Sequence, residues 1–404
     1  MSKVIVIGAG PAGMMAAMTA AKEHDVILLD GNERIGKKLF ITGKGRCNVT
    51  NAKDISEFFD FIPGNPHFLY SALYTYTNED TMSFFANEGI KLKVERGGRV
   101  FPDSDKSSDI IKGLSSGLNK ANVKVLLKNK VTDIRFNGST IKSVIVNDTN
   151  EIKGDHFIIA TGGASYPLTG SRGEGQEFAK KVGHKIIDLK PSLVPVEIND
   201  PWVKELMGLT LKNVSVSIKE GKKTVYKNQG EMKFTSFGVS GPLILSGSRF
   251  IKDNKSYTLS IDLKPVIEVS ELDKRVQKDF KKYINKDFRN SLDDLLPQKL
   301  IPIIIQLSGI NEYKKVHDIT KEERRRLVDT LKNLTMEVKG LRSLSEAIVT
   351  SGGVDTKDID PSTMRSKIID NLSFAGEVID VDAFTGGYNV QVALATGYLA
   401  GSNI

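Results

Sequence analysis

The chain of 404 residues contains one cysteine, one tryptophan and five histidines. A single thiol, Cys47, excludes an internal disulfide framework and any relay between two thiols, and it fits a reducing compartment. The histidines, at 24, 67, 156, 184 and 317, are scattered without ligand spacing, so no metal site is expected. No uninterrupted apolar run is long enough to span a bilayer. The first apolar run, residues 4–7, is broken at once by Gly8-Ala-Gly10-Pro11, unlike the core of a secretory leader. A cytoplasmic protein with no membrane association is the expectation. Also missing is any basic stripe interleaved with aromatics. The net charge of +8 is spread among lysines and acids that alternate nearly everywhere. We therefore read it as solvated surface, with a field for an anionic ligand as the alternative, and expect no nucleic-acid partner.

What is present begins at the first thirty residues. Val4-Ile-Val-Ile7 is a short apolar run of the kind that forms a buried parallel strand. It ends in Gly8-Ala-Gly10-Pro11-Ala12-Gly13, with G-x-G-x-x-G spacing. The first glycine permits a tight turn, the second lets backbone approach a pyrophosphate, and the third lets the following helix pack against the strand. That helix offers free N–H groups and a positive dipole end. A second strand, residues 26–29, ends at Asp30, where a carboxylate can bind a ribose 2′-hydroxyl, which argues for a ribose without a 2′-phosphate. Together these features predict a dinucleotide site.

Residues 31–51 hold lysines, Arg46 and several glycines in Gly36-Lys37-Lys38 and Thr42-Gly43-Lys-Gly-Arg46-Cys47-Asn48. So dense a polar loop after a nucleotide-binding strand points to contact with the ligand; a basic surface loop is the alternative. For Cys47 two readings stand, packing beside a ligand or a reactive thiol activated by Arg46. Arg99 either faces an anion or lies in a surface turn. Residues 54–92 read as mostly helical, with Phe58, Phe59, Phe61, Phe84 and Phe85 as core. Strands are predicted at 123–127 and 131–135, then a hairpin turning at Asn137-Gly138. The strand 155–160 runs into Thr161-Gly162-Gly163, a second place for backbone to meet a ligand.

From residue 189 the texture changes to polar–apolar alternation, predicting antiparallel sheet in a small barrel over 190–265. A charged, helix-rich stretch follows over 266–345, with helices at 270–283, 290–296, 300–309 and 320–335 and a capping box at Thr320-x-x-Glu323. Parallel-sheet character is expected again at 347–354 and 372–375. Then come Gly376-Glu377, Asp380 and Gly386-Gly387-Tyr388-Asn389, opening a helix with anion-binding geometry. The predicted class is α/β. A Rossmann-like domain is assembled from both chain ends, 1–189 and 346–404, and residues 190–345 are an insert.

These motifs, with Gly98-Arg-Val-Phe-Pro102, Ser165-Tyr166-Pro167, Pro191-Ser-Leu-Val-Pro195 and Phe234-Thr-Ser-Phe-Gly-Val-Ser-Gly-Pro242, resemble a family of NAD(P)/FAD-dependent flavoproteins. Its members are aminoacetone-oxidase-like or bile-acid dehydro-reductase-like, within the glutathione-reductase-type FAD fold. The resemblance spans nearly the whole chain. It implies non-covalent FAD, with Gly8, Gly10, Pro11, Ala12 and Gly13 at the pyrophosphate and Asp30 at the adenosine ribose. Lys38, Thr42, Gly43, Arg46, Cys47 and Asn48 would run beside the ribityl and flavin. Val131 would meet the adenine, Thr161 and Gly162 the adenosine side, and Gly376, Glu377 and Asp380 the ribityl and phosphate. Gly387, Tyr388 and Asn389 would lie against the flavin pyrimidine.

One departure is Ser236, where many relatives carry histidine. The implied activity is reduction of an activated C=C bond, such as an oxo-steroid enone, with NAD(P)H as co-substrate. Alternatives are amine oxidation by O₂ and binding or modification of RNA. The substrate is a small molecule on the first two readings, and the insert is expected to roof its cavity. Tyr388, Tyr166 and Arg46 are the candidate proton donors. No histidine lies in the cofactor-facing loops to form a flavin bond, so acid precipitation should leave yellow flavin in the supernatant; flavin held in the pellet would contradict non-covalent binding.

Overall fold

The computed structural model describes residues 1–404 and divides into two compact units, Met1–Ser192 with Leu344–Ile404, and Leu193–Ser343. The first is built on a five-stranded parallel sheet, in the order Leu372–Phe374, His156–Ile159, Lys3–Ile7, Asp25–Leu29, Lys124–Leu126. Val4, Ile5 and Val6 are fully buried, as befits a central strand covered on both faces. The first strand leads to Asp25–Leu29 on one side and has His156–Ile159 on the other. Strand order therefore reverses at the carboxyl end of Lys3–Ile7, the place where open α/β sheets bind ligands.

The helix Pro11–Ala20 is buried on all sides, every residue from Ala12 to Ala20 being inaccessible. Its alanines and glycine let neighbours come close, and its three methionines fill the space between them. One neighbour is the C-terminal helix Tyr388–Ser402. A Cβ on Gly397 would lie 2.3 Å from the Ala12 carbonyl oxygen, and one on Gly401 would lie 2.4 Å from that of Ala16. The two chain ends thus meet along a seam of glycine and alanine.

Two smaller sheets complete this unit: the meander Val131–Asn137, Thr140–Val146, Asn150–Lys153, and the sheet Thr50–Asn51, Arg99–Pro102, Leu92–Glu95. The hairpin turns at Gly138-Ser139, one residue later than expected. Asn137 pairs with Thr140, and Gly138 at φ +57° takes the first turn position. Of the five phenylalanines read as core, Phe58 and Phe85 are fully buried and Phe59, Phe61 and Phe84 pack against that core half-buried. The segment Val349–Val354 does not extend the parallel sheet. It pairs antiparallel with Ile186–Ser192. Its two glycines allow this: a Cβ on Gly352 would sit 2.2 Å from the Asp188 carbonyl oxygen, and one on Gly353 would sit 2.5 Å from that of Val378.

The second unit is a closed barrel ordered Val196–Ile198, Gly238–Ser240, Lys223–Phe234, Thr210–Glu220, Tyr257–Asp262, Leu334–Leu341. Helices Val269–Lys282, Ile301–Ser308 and Lys321–Lys332 lie between its fifth and sixth strands in sequence. The expected capping box is present: Glu323 N–H donates to Thr320 Oγ1 at 3.2 Å, and Thr320 N–H donates to Glu323 Oε2 at 2.7 Å. Two expectations are corrected here. The helical stretch does not run to residue 345, because Leu334 and Met336 point inward and the alternation closes the barrel. The helix expected at 290–296 is one turn, Phe288–Asn290, and the chain then turns again through Leu295 N–H to the Leu292 carbonyl before Pro297. In Phe234–Pro242, Gly238 serves strand packing, a Cβ there falling 2.1 Å from the Val196 carbonyl oxygen, while Ser236 is exposed.

His156, in the sheet, accepts or donates at Nε2 with Ser373 Oγ at 3.0 Å. Burial above all, with Arg365 and His24 adding to it, pushes its imidazole down to about 4. Between that value and its unfolded value near 6.5 the unfolded chain binds the extra proton, so stability is present above pH 6.5 and is lost as pH falls toward 4. Thermal melts should show this loss, and His156→Gln should flatten the melting temperature over that window; an unchanged slope would exclude His156 as its source.

Candidate functional site

The three glycines of the first turn do different work. Gly8 is at φ +104°, and a Cβ there would sit 2.6 Å from the Ala160 carbonyl oxygen. A Cβ on Gly13 would fall 1.8 Å from the Gly8 carbonyl oxygen. Both serve contacts inside the protein. Gly10 has extended backbone, φ −79° and ψ 179°, and a Cβ there would meet nothing within 4 Å. It fronts open space at the mouth of the helix Pro11–Ala20, where first-turn N–H groups have no intrahelical acceptor. Asp30 braces this turn. Its Oδ2 accepts Ala9 N–H at 2.7 Å, and its Oδ1 accepts Asn32 N–H at 2.8 Å and Asn32 Nδ2 at 2.9 Å. Beside it, Asn129 N–H donates to the Asp30 carbonyl at 2.9 Å. Val131 starts the next strand with its side chain buried, so only backbone is offered there.

Across the crevice, Gly162 at φ +79° also fronts open space. The buried Thr161 hydroxyl has no hydrogen-bond partner; it lies against Gly175, whose Cβ would fall 2.0 Å from it. Gly376 closes on the turn helix, a Cβ there coming 2.8 Å from that of Ala12. Next to it the Glu377 carboxylate is a knot. It accepts Thr350 N–H at 2.7 Å and Lys38 Nζ at 2.7 Å, and Lys38 Nζ also donates to Ser165 Oγ at 2.7 Å. Thr350 Oγ1 in turn accepts Ala164 N–H at 2.8 Å. Four distant segments are tied at one half-buried ion pair. Ser165 belonged to a motif noted in the sequence and Thr350 to an expected strand, but nothing local marked them as the joint. Asp380 is a second joint: its Oδ1 accepts Gly352 N–H at 3.0 Å, and Asn65 Nδ2 donates to its carbonyl at 2.7 Å.

The loop at residues 42–47 is held by left-handed backbone at Gly43, Lys44, Gly45 and Cys47. Thr42 Oγ1 donates to the Leu39 carbonyl at 2.7 Å. Cys47 is fully buried, and burial pushes its thiol up to about 12, so it stays protonated. Arg46 lies on the Phe101 ring, 4.2 Å from its centroid, and donates to Glu95 and Asp105. Those two hydrogen bonds, to Glu95 first, raise its affinity for its proton. Asn48 Oδ1 is buried without a partner.

At the other chain end Gly387, φ +98°, caps the helix Tyr388–Ser402, and a Cβ there would fall 2.2 Å from the Thr50 carbonyl oxygen. The Asn389 side chain is consumed locally. Its Oδ1 accepts Ala383 N–H at 2.9 Å and its Nδ2 donates to the Ala383 carbonyl at 2.6 Å. Tyr388 stacks on Phe61 at 4.6 Å and meets Phe58 edge-on at 5.0 Å, and burial raises its hydroxyl well above the usual tyrosine value. Tyr166, at φ +50°, is half-buried. No cluster of histidine, cysteine, aspartate or glutamate could hold a metal, and no helix is long and apolar enough to cross a membrane.

Comparison with known proteins bears on this arrangement. The family model described as HI0933-like protein Rossmann domain matches residues 2–403. The chain is 31% identical to a 3-dehydro-bile acid delta(4,6)-reductase of Clostridium scindens, covering 99% of this chain and 98% of that protein. It is 33% identical to a ribosomal RNA dihydrouridine synthase of Haemophilus influenzae, covering 100% and 98%. Among solved structures, an open form of a flavocytochrome c3 fumarate reductase shares the fold, with a TM-score of 0.52 and 17% identity over 100% of this chain and 78% of that one. The chain belongs to the HI0933-like Rossmann family and is an FAD-dependent oxidoreductase.

Proposed function

We propose that this protein uses NAD(P)H and bound FAD to reduce a carbon–carbon double bond conjugated to a carbonyl. One observation carries the reading. Two kinds of relative, matched over almost their whole lengths, bear names that describe this one reaction on different molecules: a bile-acid delta(4,6) double bond, and the ring double bond lost when uridine becomes dihydrouridine. For the substrate, uridine in ribosomal RNA is our first reading, against the expectation drawn from the dispersed charge and supported by the second of these relatives. An oxo-steroid is the second, supported by the first.

The residues fit FAD. The open face at Gly10 and the free N–H groups behind it would hold the pyrophosphate. Asp30 would take the adenosine ribose with lone pairs not used by Ala9 and Asn32. Gly162 would line the adenosine side. Asn48, with its unpartnered buried oxygen, and the first turn of Tyr388–Ser402 would face the ring system. The bound cofactor supplies two-electron hydride chemistry. Around it the protein holds protons still. Cys47 keeps its own, Arg46 is tied to two carboxylates, and Tyr388 is stacked and buried. Of the three candidate donors Tyr166 is left to deliver a proton to the substrate.

The glycines give a paired test. Gly10→Val should melt like the parent, within about 0.5 kcal/mol, and bind no FAD. Gly13→Val should lose about 3 kcal/mol of stability because its side chain has no room. Gly10→Val protein that remains yellow would remove the pyrophosphate assignment. The activity itself is tested by anaerobic stopped-flow. NADH or NADPH should bleach the flavin absorbance, and transcribed ribosomal RNA or a conjugated oxo-steroid should restore it. Bleaching by amines and by neither nucleotide would overturn the reading.

A further inference from the structure

The barrel hairpin formed by Thr210–Glu220 and Lys223–Phe234 is charged out of proportion to its size. It carries Lys212, Lys219, Lys222, Lys223, Lys227 and Lys233 against Glu220 and Glu231, a net +4 of the whole chain's +8. None of the six lysines has an ion-pair partner, while the Glu220 carboxylate is taken by Lys255 at 2.5 Å.

Strand alternation sorts the hairpin cleanly. Leu211, Val214, Val216, Ile218, Met232 and Phe234 are buried in the barrel. Across the outer face Ser217 stands opposite Lys227, Ser215 opposite Gln229, and Thr210 opposite Lys233. Gln229 Nε2 donates to Asn213 Oδ1 at 2.9 Å. The face therefore offers ammonium groups among hydroxyls and amides, with one carboxylate, Glu231, between Gln229 and Lys233; the hydroxyls, amides and ammonium groups are the donors and acceptors that meet phosphate and ribose. It exposes no large apolar side chain, so it has no anchor for a lipid surface.

We propose that this hairpin face is an RNA-docking surface that binds the sugar–phosphate backbone without reading sequence; the proposal rests on the ribosomal RNA reading above. Backbone contact of this kind depends on counterion release, so affinity falls steeply with salt in proportion to the phosphates neutralised.

The test uses the full-length flavoprotein, wild type and a variant carrying Lys219→Gln, Lys222→Gln, Lys223→Gln and Lys227→Gln. Binding to transcribed ribosomal RNA and to phosphatidylserine vesicles is measured across a salt series, and dihydrouridine in the RNA is quantified. The variant should bind RNA at least tenfold more weakly, with a log–log salt slope shallower by about 3. Its flavin content and its bleaching by NAD(P)H should be unchanged. RNA affinity and slope equal to wild type, in a protein that forms dihydrouridine, would overturn the docking surface alone. Wild type that forms no dihydrouridine would overturn the ribosomal RNA reading and the docking surface with it. Wild type that binds vesicles and not RNA would mark the face as a membrane contact and overturn the proposal.

Discussion

The molecule depends on one close approach. Gly13 sits under the carbonyl of Gly8, and nothing larger than hydrogen fits between them. That contact aims the buried helix Pro11–Ala20 so that its N-terminal N–H groups face the open side of Gly10. The same helix must be slim on its far side, because Gly397 and Gly401 of the C-terminal helix press their backbone onto Ala12 and Ala16. The first and last residues of the unit are thereby locked together. The edge strand Leu372–Phe374 and the segment from Gly376 are brought to the crevice where the first strand ends. The chain-end pairing and the open face at Gly10 both depend on side chains being absent at Gly13, Gly397 and Gly401.

Much of this was legible because it is local. Glycine spacing after an apolar run, an acid closing the next strand, and Gly387 before a helix are read within a few residues, and the strands and helices they mark are where that reading put them. The capping box at Thr320 and Glu323 was legible for the same reason, since both partners lie within one turn. The barrel was legible from alternation, except for its last strand. Leu334–Leu341 follows a highly charged helix directly, with Asn333 as the only break, and helical context masked a period of two.

What could not be read is what joins distant segments. Lys38, Ser165, Thr350 and Glu377 are scattered over most of the chain, and no spacing rule relates them. The same is true of Asn65 and Asp380. Side-chain identity also misleads when the backbone is the functional part. Asn389 looks like a ligand contact, yet its amide closes the loop back to Ala383. Arg46 looks like a free cation beside a thiol, yet two acids from other strands and turns hold it. In both cases the partner that consumes the group is supplied by tertiary structure.

These commitments limit what the site can select. Of its titratable side chains, Cys47 and Tyr388 are buried and Arg46 and Lys38 are ion-paired, so apart from Asp30 and Tyr166 it presents mainly backbone: glycine faces and helix first turns. Backbone amides recognise phosphate and polarise an electron-poor ring, but they carry little information about which substrate arrives. In such a site the hydride chemistry is lodged in the cofactor, and discrimination between substrates is lodged elsewhere. Selection then has to come from surface that the cofactor does not occupy. On the reading proposed above, the hairpin Thr210–Phe234 is such a surface: its inward residues fill the barrel core, and its outward lysines make no ion pair. Substitution there is free to change what the protein binds while the packed helix seam that holds the site keeps its geometry.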